Sequence, residues 1–298
     1  MKCCAVPTRM CCKHVAAGFY VENWNKKMIA SKTNQKLKKV RKLISSAKER
    51  RETGLFVAEG VRICSEAPAE LLDMVLVSED CDIDISGYKN AEMVEKNIFR
   101  ELSDTVNPQG VLAVLRQPGW IVNIEKKDGS ICSLSRSTLD MKHETCGKGN
   151  EVLLNGQGRV LLLDGIRDPG NMGTIVRTAE AAGVKAVFMS PDCVDLYNPK
   201  VTRSTMGSIF RVPCVSCELV PVIEQLKAAG INIYGTSLQT DKSFRDVDFS
   251  NAGIVIGSEA YGVSPAVAAA VTDNVKIPMA GAVESLNAAV SAAIMMFC

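Results

Sequence analysis

Three stretches in the C-terminal half of the chain collect residues able to do chemistry. LLLDGIRDPGNMGTIVRTAEAAGV carries Asn171 and Arg177. VDLYNPKVTRSTMGSIFRVP carries Asn198, Lys200, Arg203 and Ser204. IVIGSEAYGVSP, followed by VKIPMAGAVESLNAAVSAAIM, carries Glu259, Ser285 and Asn287. Arg and Lys donate to phosphate, ionised Glu only accepts, and Asn does both. The two histidines, His14 and His143, lie outside this half, so Ser-His-Asp and Cys-His chemistry has no base there. No GxGxxG follows a first strand and no Walker A sequence occurs, which weighs against ordinary dinucleotide and NTP sites. What remains is chemistry done with Arg, Glu, Ser, Asn and backbone groups.

The elements that must position these residues alternate from Arg159 onward. Strands are expected at Val160 to Leu163, Ala186 to Met189, Ile209 to Val212, Ile231 to Gly235, Ile254 to Gly257 and Val275 to Ile277. Helices are expected at Thr174 to Ala182, Val222 to Ala229, Pro265 to Val271 and Ser285 to Phe297. Such alternation implies a mostly parallel sheet covered on both faces. Ligands on these sheets sit at the carboxyl ends of the strands, where the polar and Gly-rich turns of this half fall. A strand ending at Asp164, a Pro169-Gly170 turn and a helix starting at Asn171 or Gly173 place Arg177 about 200° from the inward-facing Ile175, away from the core.

The 298 residues suffice for two domains. Residues 1–28 read as an extension. Residues 29–117 read as a small α/β domain: a helix from Ser31 or Asn34 with Leu37, Val40, Leu43 and Ile44 on one stripe, then strand-like runs at 55–58, 74–77 and 111–115 separated by helical patterns. Residues 118–157 are polar and read as a linker or inserted loop, and 158–298 form the alternating domain.

Net charge is only +2, but eleven Lys and Arg crowd between Lys26 and Glu52 (Lys26, Lys27, Lys32, Lys36, Lys38, Lys39, Arg41, Lys42, Lys48, Arg50, Arg51) against Glu49 and Glu52. Such an excess attracts a phosphate backbone, and it equally describes a solvated helix face. No apolar run approaches the ~18 residues of a membrane span, and the start is a poor secretory signal. The 12 cysteines form no regular framework, so a reducing cytoplasm is expected. Cys214-x-x-Cys217 falls between an expected strand and helix, as a thioredoxin-like pair does, but the flanking Trp and well-placed cis-proline of that context are not evident. Cys3, Cys4, Cys11 and Cys12 lack zinc-site spacing, and no metal is expected.

The three C-terminal stretches resemble, in order, the three motifs of the SpoU, or TrmH, family of RNA ribose 2′-O-methyltransferases in the SPOUT superfamily. D-P-x-N-x-G-x-x-x-R-T, I-G-x-E-x-x-G and I-P-M-x-G-x-x-x-S-L-N together span about 140 residues from Val160. The Asn34 to Leu43 helix, Phe56-Val57-Ala58-Glu59-Gly60 and Pro108-Gln109-Gly110-Val111 resemble, more loosely, the family's substrate-binding module, whose fold is similar to small ribosomal proteins. The resemblance implies a C-terminal trefoil-knotted parallel-sheet α/β domain, S-adenosylmethionine as cofactor, and a homodimer through that domain with each site drawn from both subunits. Periodicity alone gives only an open sheet, since knots are rare exceptions to chain topology.

The same resemblance assigns the site. Asn171, Arg177, Glu259, Ser285 and Asn287 surround the attack of a ribose 2′-hydroxyl on the sulfonium methyl. Thr236, Gly257, Ile277, Met279 and Leu286 give the cofactor backbone groups and apolar walls. From the basic run, Lys36, Lys39 and Arg41 are expected to face RNA, and Lys200 and Arg203 either touch RNA phosphates or are simply exposed. A guanidinium has no acceptor while protonated and deprotonates with difficulty, so Arg177 reads as a donor to phosphate and to the nascent oxyanion, with proton loss to Glu259 or water. Singly, Asn171, Ser285 and Asn287 read as well as caps or turn residues and Glu259 as a solvated loop charge; in the family's order they read as a site. Two other functions stay open: an RNA-binding protein of the same fold without activity, and a CxxC oxidoreductase. The two-domain layout favours ribosomal over transfer RNA.

Overall fold

The computed structural model describes residues 28–83, 88, 90–135 and 150–298. The 1–27 part of the extension, Lys26 and Lys27, both histidines and residues 136–149 lie outside the described residues.

The N-terminal unit opens with α1 (Gln35–Ser45) and α2 (Ala47–Thr53). Asn34 caps α1 by accepting from Lys36 N at 2.8 Å, and the stripe Leu37, Val40, Leu43 is fully buried. β1 (Leu55–Glu59), α3 (Val61–Glu66), β2 (Leu72–Ser78), β3 (Ala91–Val94), α4 (Lys96–Leu102) and β4 (Val111–Arg116) follow. They build a four-stranded sheet in the order β1-β4-β2-β3.

Residues 118–157, read above as a linker or inserted loop, contain β5 (Trp120–Glu125), β6 (Ile131–Ser135) and β7 (Asn150–Leu154), a sheet in the order β6-β5-β7. Val122, Ile124 and Leu154 are buried in a cluster with Leu226 and Ile231 of the following unit. The strand signal is there in the alternation of Val122 and Ile124 with Asn123 and Glu125, and the polar run after it masks that signal.

The C-terminal unit is a six-stranded parallel sheet, β10-β9-β8-β12-β11-β13. Its strands are β8 (Val160–Asp164), β9 (Ala186–Met189), β10 (Cys214–Ser216), β11 (Asn232–Thr236), β12 (Ala252–Gly257) and β13 (Asp273–Val275). Its helices are α5 (Pro169–Ala181), α6 (Pro199–Thr205), α7 (Leu219–Ala228), α8 (Pro265–Ala270) and α9 (Ala288–Met296). The strand expected at 209–212 is instead a 3-10 turn, Ser208–Phe210, and the strand comes after Pro213. Ile209, Phe210 and Val212 are buried, and a short buried run does not reveal its period. β13 lies at one sheet edge, yet α9 packs on α5 and β12, so the chain recrosses the carboxyl edge between them. Arg159 then holds the C-terminus, donating to Phe249 O and Cys298 O at 2.8 Å each.

The two units share one hydrophobic core. Phe56, Ile63, Val75 and Val111 join the same buried cluster as Leu161, Ile175, Tyr197 and Phe210. The Phe56 and Tyr197 rings lie 4.9 Å apart, and Thr202 Oγ1 donates to Val57 O at 3.3 Å. Arg50, buried in α2, donates through Nε to Asp195 Oδ2 at 2.7 Å and through Nη1 to Leu43 O at 2.6 Å. A buried guanidinium needs such complete pairing.

Candidate functional site

Parallel strands bring their carboxyl ends to one edge, and this edge gathers the motifs. Asp164, the last residue of β8, is registered against Gly257, the last of β12, and Thr236 of β11 against Val275 of β13. The turns that leave these strands, 165–168, 237–243, 258–264 and 276–287, therefore neighbour one another.

The first turn is built by Asp168. It is the N-cap of α5, its Oδ1 accepting from Asn171 N at 2.7 Å, and Pro169 presets the first helical residue. The helix thus starts earlier than Asn171 or Gly173. The reason is local: Asp168-Pro169 is a better initiator than either, and with the cap role taken by Asp168 the Asn171 side chain bonds outside α5. Gly173 has a packing role, since a Cβ there would sit 2.4 Å from Ser204 Cβ and 2.8 Å from Val201 O, which lets α5 and α6 approach closely.

The Asn171 amide is committed on both sides. Its Nδ2 donates to Glu259 Oε1, and its Oδ1 accepts from Asn287 Nδ2 at 2.9 Å. Asn287 is also the N-cap of α9, its Oδ1 accepting from Ala289 N at 2.9 Å and Val290 N at 3.3 Å. One chain of side-chain bonds, Asn287 to Asn171 to Glu259, therefore ties the C-terminal segment, α5 and the 258–264 turn. It leaves an exposed carboxylate held as an acceptor at the mouth of the edge.

The 258–264 turn is also tied to β8, since Asp164 Oδ2 accepts from Ser264 N at 2.7 Å. Asp164 is buried and is the positioning residue that the reading of the sequence did not select. Its place at a strand end inside the D-x-x-x-D-P stretch was the available signal. Gly257 is required because the turn folds back on it: a Cβ would lie 2.1 Å from the Gly262 carbonyl carbon and 2.2 Å from Val263 N. The close approach is thus of the chain's own backbone.

Among the other expected cofactor residues, Thr236 Oγ1 donates to Val255 O at 3.1 Å, turning its side chain to the sheet. Ile277, Met279 and Leu286 are half-buried beside the exposed Ser285, and Ile277 packs on the core. Arg177 is exposed and bonds to none of Asn171, Glu259 and Asn287. It lines a separate hollow of about 370 Å³ with Arg62, Glu180, Ala181, Met206, Ser208 and Arg211. The structure gathers Asn171, Glu259 and Asn287 and sets Arg177 apart from them within one chain.

The residues expected to face RNA are partly engaged. Lys39 pairs with Asp73 at 3.1 Å and Lys36 with Glu92, while Arg41 Nη1 donates to Lys32 O at 2.8 Å. Arg203 bridges the units, 3.9 Å from Glu59 and 3.5 Å from Asp104, and Lys200 is exposed. No ion pair engages Lys38, Lys42 or Arg51 among the described residues. Cys214 and Cys217 are buried thiols, not a disulfide, and burial pushes both up to about 12. That suppresses the thiolate a redox pair needs. Among the described residues no group of His, Cys, Asp or Glu is arranged to hold a metal, and no helix is long and apolar enough to cross a membrane.

With this geometry in hand, the comparisons are consistent. Residues 158–297 match the SpoU rRNA Methylase family and residues 34–113 the MRM3-like substrate binding domain. The chain is 32% identical over 276 residues to the 23S rRNA (guanosine(2553)-2′-O)-methyltransferase RlmP of Bacillus subtilis, covering 91% of this chain and 98% of that protein. The AdoMet-bound rRNA methyltransferase of Sinorhizobium meliloti superposes with a TM-score of 0.71 at 25% identity, over 91% of this chain and 96% of that one. The SpoU methyltransferase AviRb of Streptomyces viridochromogenes, in complex with AdoMet, gives 0.70 at 26%, over 89% and 96%. A parallel-sheet α/β SpoU methyltransferase domain carrying a smaller α/β substrate-binding domain is the class that fold and comparisons define. The chain belongs to the SpoU rRNA methylase family.

Proposed function

We propose that this chain transfers the methyl group of S-adenosylmethionine to a ribose 2′-hydroxyl of ribosomal RNA. The observation that carries the reading is the Asn287–Asn171–Glu259 chain, which fixes three motif loops around one edge of the sheet. The cofactor fits what lies there. Half-buried Ile277, Met279 and Leu286 suit an adenine and a methionine chain, the backbone at Thr236 and Ile277 suits its polar groups, and a Cβ at Gly281 would meet nothing within 4 Å. Bound there, it supplies an electrophilic methyl.

The chain's own residues would do the rest. Glu259, held by Asn171, accepts the hydroxyl proton directly or through water. Arg177 donates to the substrate phosphate and to the developing oxyanion. Its separation from the Asn171 cluster within one chain supports a homodimer in which the partner's copy completes each site. Tyr261, 84% exposed, and Phe297, 63% exposed, are apolar surface that such a dimer would cover. The N-terminal unit holds the RNA through Lys36 and Lys39, whose ion pairs with Glu92 and Asp73 phosphates can displace, and through Arg41, together with Lys38 and Lys42. Lys200 and Arg203 extend this surface, and a ribosomal RNA substrate is in keeping with a cytoplasmic enzyme.

The test is transfer of tritiated methyl from S-adenosylmethionine to in vitro transcribed 23S and 16S rRNA, with the mark mapped as an alkali-resistant linkage. A labelled 2′-O-methyl nucleotide supports the reading. RNA binding without transfer gives instead the inactive binding protein of the same fold.

A further inference from the structure

The hollow that holds Arg177 contains its own competitor. Glu180 lies three residues after Arg177 on α5, the spacing at which helical side chains pair, and an exposed Arg–Glu pair at that spacing forms readily. Yet Arg177 is exposed and makes no hydrogen bond or ion pair with any described residue. Glu180 is taken by Arg211 instead: Arg211 Nε meets Glu180 Oε1, and Nη2 meets Oε2 at 3.1 Å. This is the two-pronged fork that only arginine makes, and it occupies both carboxylate oxygens. The third nitrogen, Nη1, donates to Glu66 Oε2 at 2.9 Å, and Glu66 also receives Arg62 Nε at 3.2 Å. Of three arginines and two glutamates around the hollow, four are paired with one another and one positive charge, Arg177, is left over. Glu66 belongs to the N-terminal unit and Glu180 to α5, so Arg211 also joins the substrate-binding unit to the helix carrying Arg177.

We infer that Arg211 is a positioning residue for methyl transfer: by occupying Glu180 and anchoring it to Glu66, it keeps the Arg177 guanidinium unpaired and available to RNA. This rests on the proposed role of Arg177 and adds a residue that does not itself touch the reacting atoms. In keeping with it, the Arg211 bond holds the Glu180 carboxyl below its ordinary range, so the latch is ionised at neutral pH.

The experiment is a suppression test with tritiated S-adenosylmethionine and 23S and 16S rRNA transcripts, alongside a crystal structure of the Arg211→Ala protein. Arg211→Ala is expected to place Arg177 on Glu180 in the crystal and to lower kcat/KM by about tenfold or more, by analogy with other lost transition-state donors. Glu180→Gln added to Arg211→Ala removes the competitor and restores most of that loss, which no purely structural role of the Arg211–Glu180 pair predicts. Should Arg211→Ala fail to fold, Arg211→Lys keeps the charge without the fork and shows the same defect and the same rescue. An Arg177 that stays unpaired in the crystal, or a double variant no better than Arg211→Ala, overturns the inference. Arg177→Ala is run beside them. If it transfers methyl at the parent rate, the role of Arg177 falls, while the crystal still reports whether Arg211 governs its pairing.

Discussion

Asn287 donates from its side-chain amide to the Asn171 side-chain oxygen at 2.9 Å, across 116 positions of chain. Each residue also serves its own neighbourhood: Asn287 caps α9, and Asn171 passes the bond on to Glu259. The C-terminal segment is thereby fastened to the first helix of the motif and to the turn after β12.

Asn171 and Asp168 are expected to separate on mutation. Asp168→Ala removes the cap of α5 and lowers stability by about 1 kcal/mol, the usual cost of a lost N-cap. Asn171→Ala leaves that cap intact, so unfolding moves little, while affinity for S-adenosylmethionine or its demethylated product falls about tenfold through loosened loops. Chemical denaturation and calorimetry on both variants check this, and a reversed pattern would make Asn171 the structural residue.

The seam between the units should be intolerant of half-removed pairs. Asp195→Ala leaves the Arg50 guanidinium, 3% exposed in its side chain, without its carboxylate. A loss of about 3–5 kcal/mol is expected, as for other buried pairs broken on one side. Urea unfolding measures it, and a loss under about 1 kcal/mol, the size of an exposed pair, would show that the seam is hydrated.

Thiol labelling should discriminate by burial. Cys64, Cys214 and Cys217 are pushed up to about 12 by burial, whereas Cys298 is exposed. Iodoacetamide at pH 8 should modify Cys298 in the native protein and reach Cys214 and Cys217 only after unfolding. Rapid native labelling or reversible oxidation of that pair would reopen a redox role.

Acid should erase the contribution of the Arg211–Glu180 pair. Bonding to Arg211 depresses the Glu180 carboxyl below its ordinary 4.5. A depressed carboxylate contributes stability that is present above the unfolded value and lost as pH falls through the folded one. The stability gap between the parent and Arg211→Ala should therefore be full at pH 7 and shrink below the ordinary carboxylate value. A gap independent of pH down to pH 2 would mean that the pair contributes packing rather than charge.

Much of this was legible in the residues. Alternating apolar runs and helix stripes gave β8, β9, α5, α7 and the parallel sheet, because a strand buried on both faces must be apolar along its length. The resemblance to the family's motifs brought out Asn171, Glu259 and Asn287, and the side-chain bonds join these three. The 3-10 turn at Ser208–Phe210 was misread as a strand, and the sheet in 118–157 was masked by a polar run. Both are short segments whose conformation is set by what they pack on.

What the sequence by itself determined was which residues are inside, which lie at strand ends, and which motif order is present, since burial and turn chemistry are local properties of a chain. Only the tertiary structure decided that Arg203 and Arg50 bind the two units together, that Arg211 withholds Glu180 from Arg177, and that Arg177 stands apart from Asn171. These are pairings between positions up to 145 residues apart, and the choice among several possible carboxylate partners depends on geometry that only the folded chain supplies.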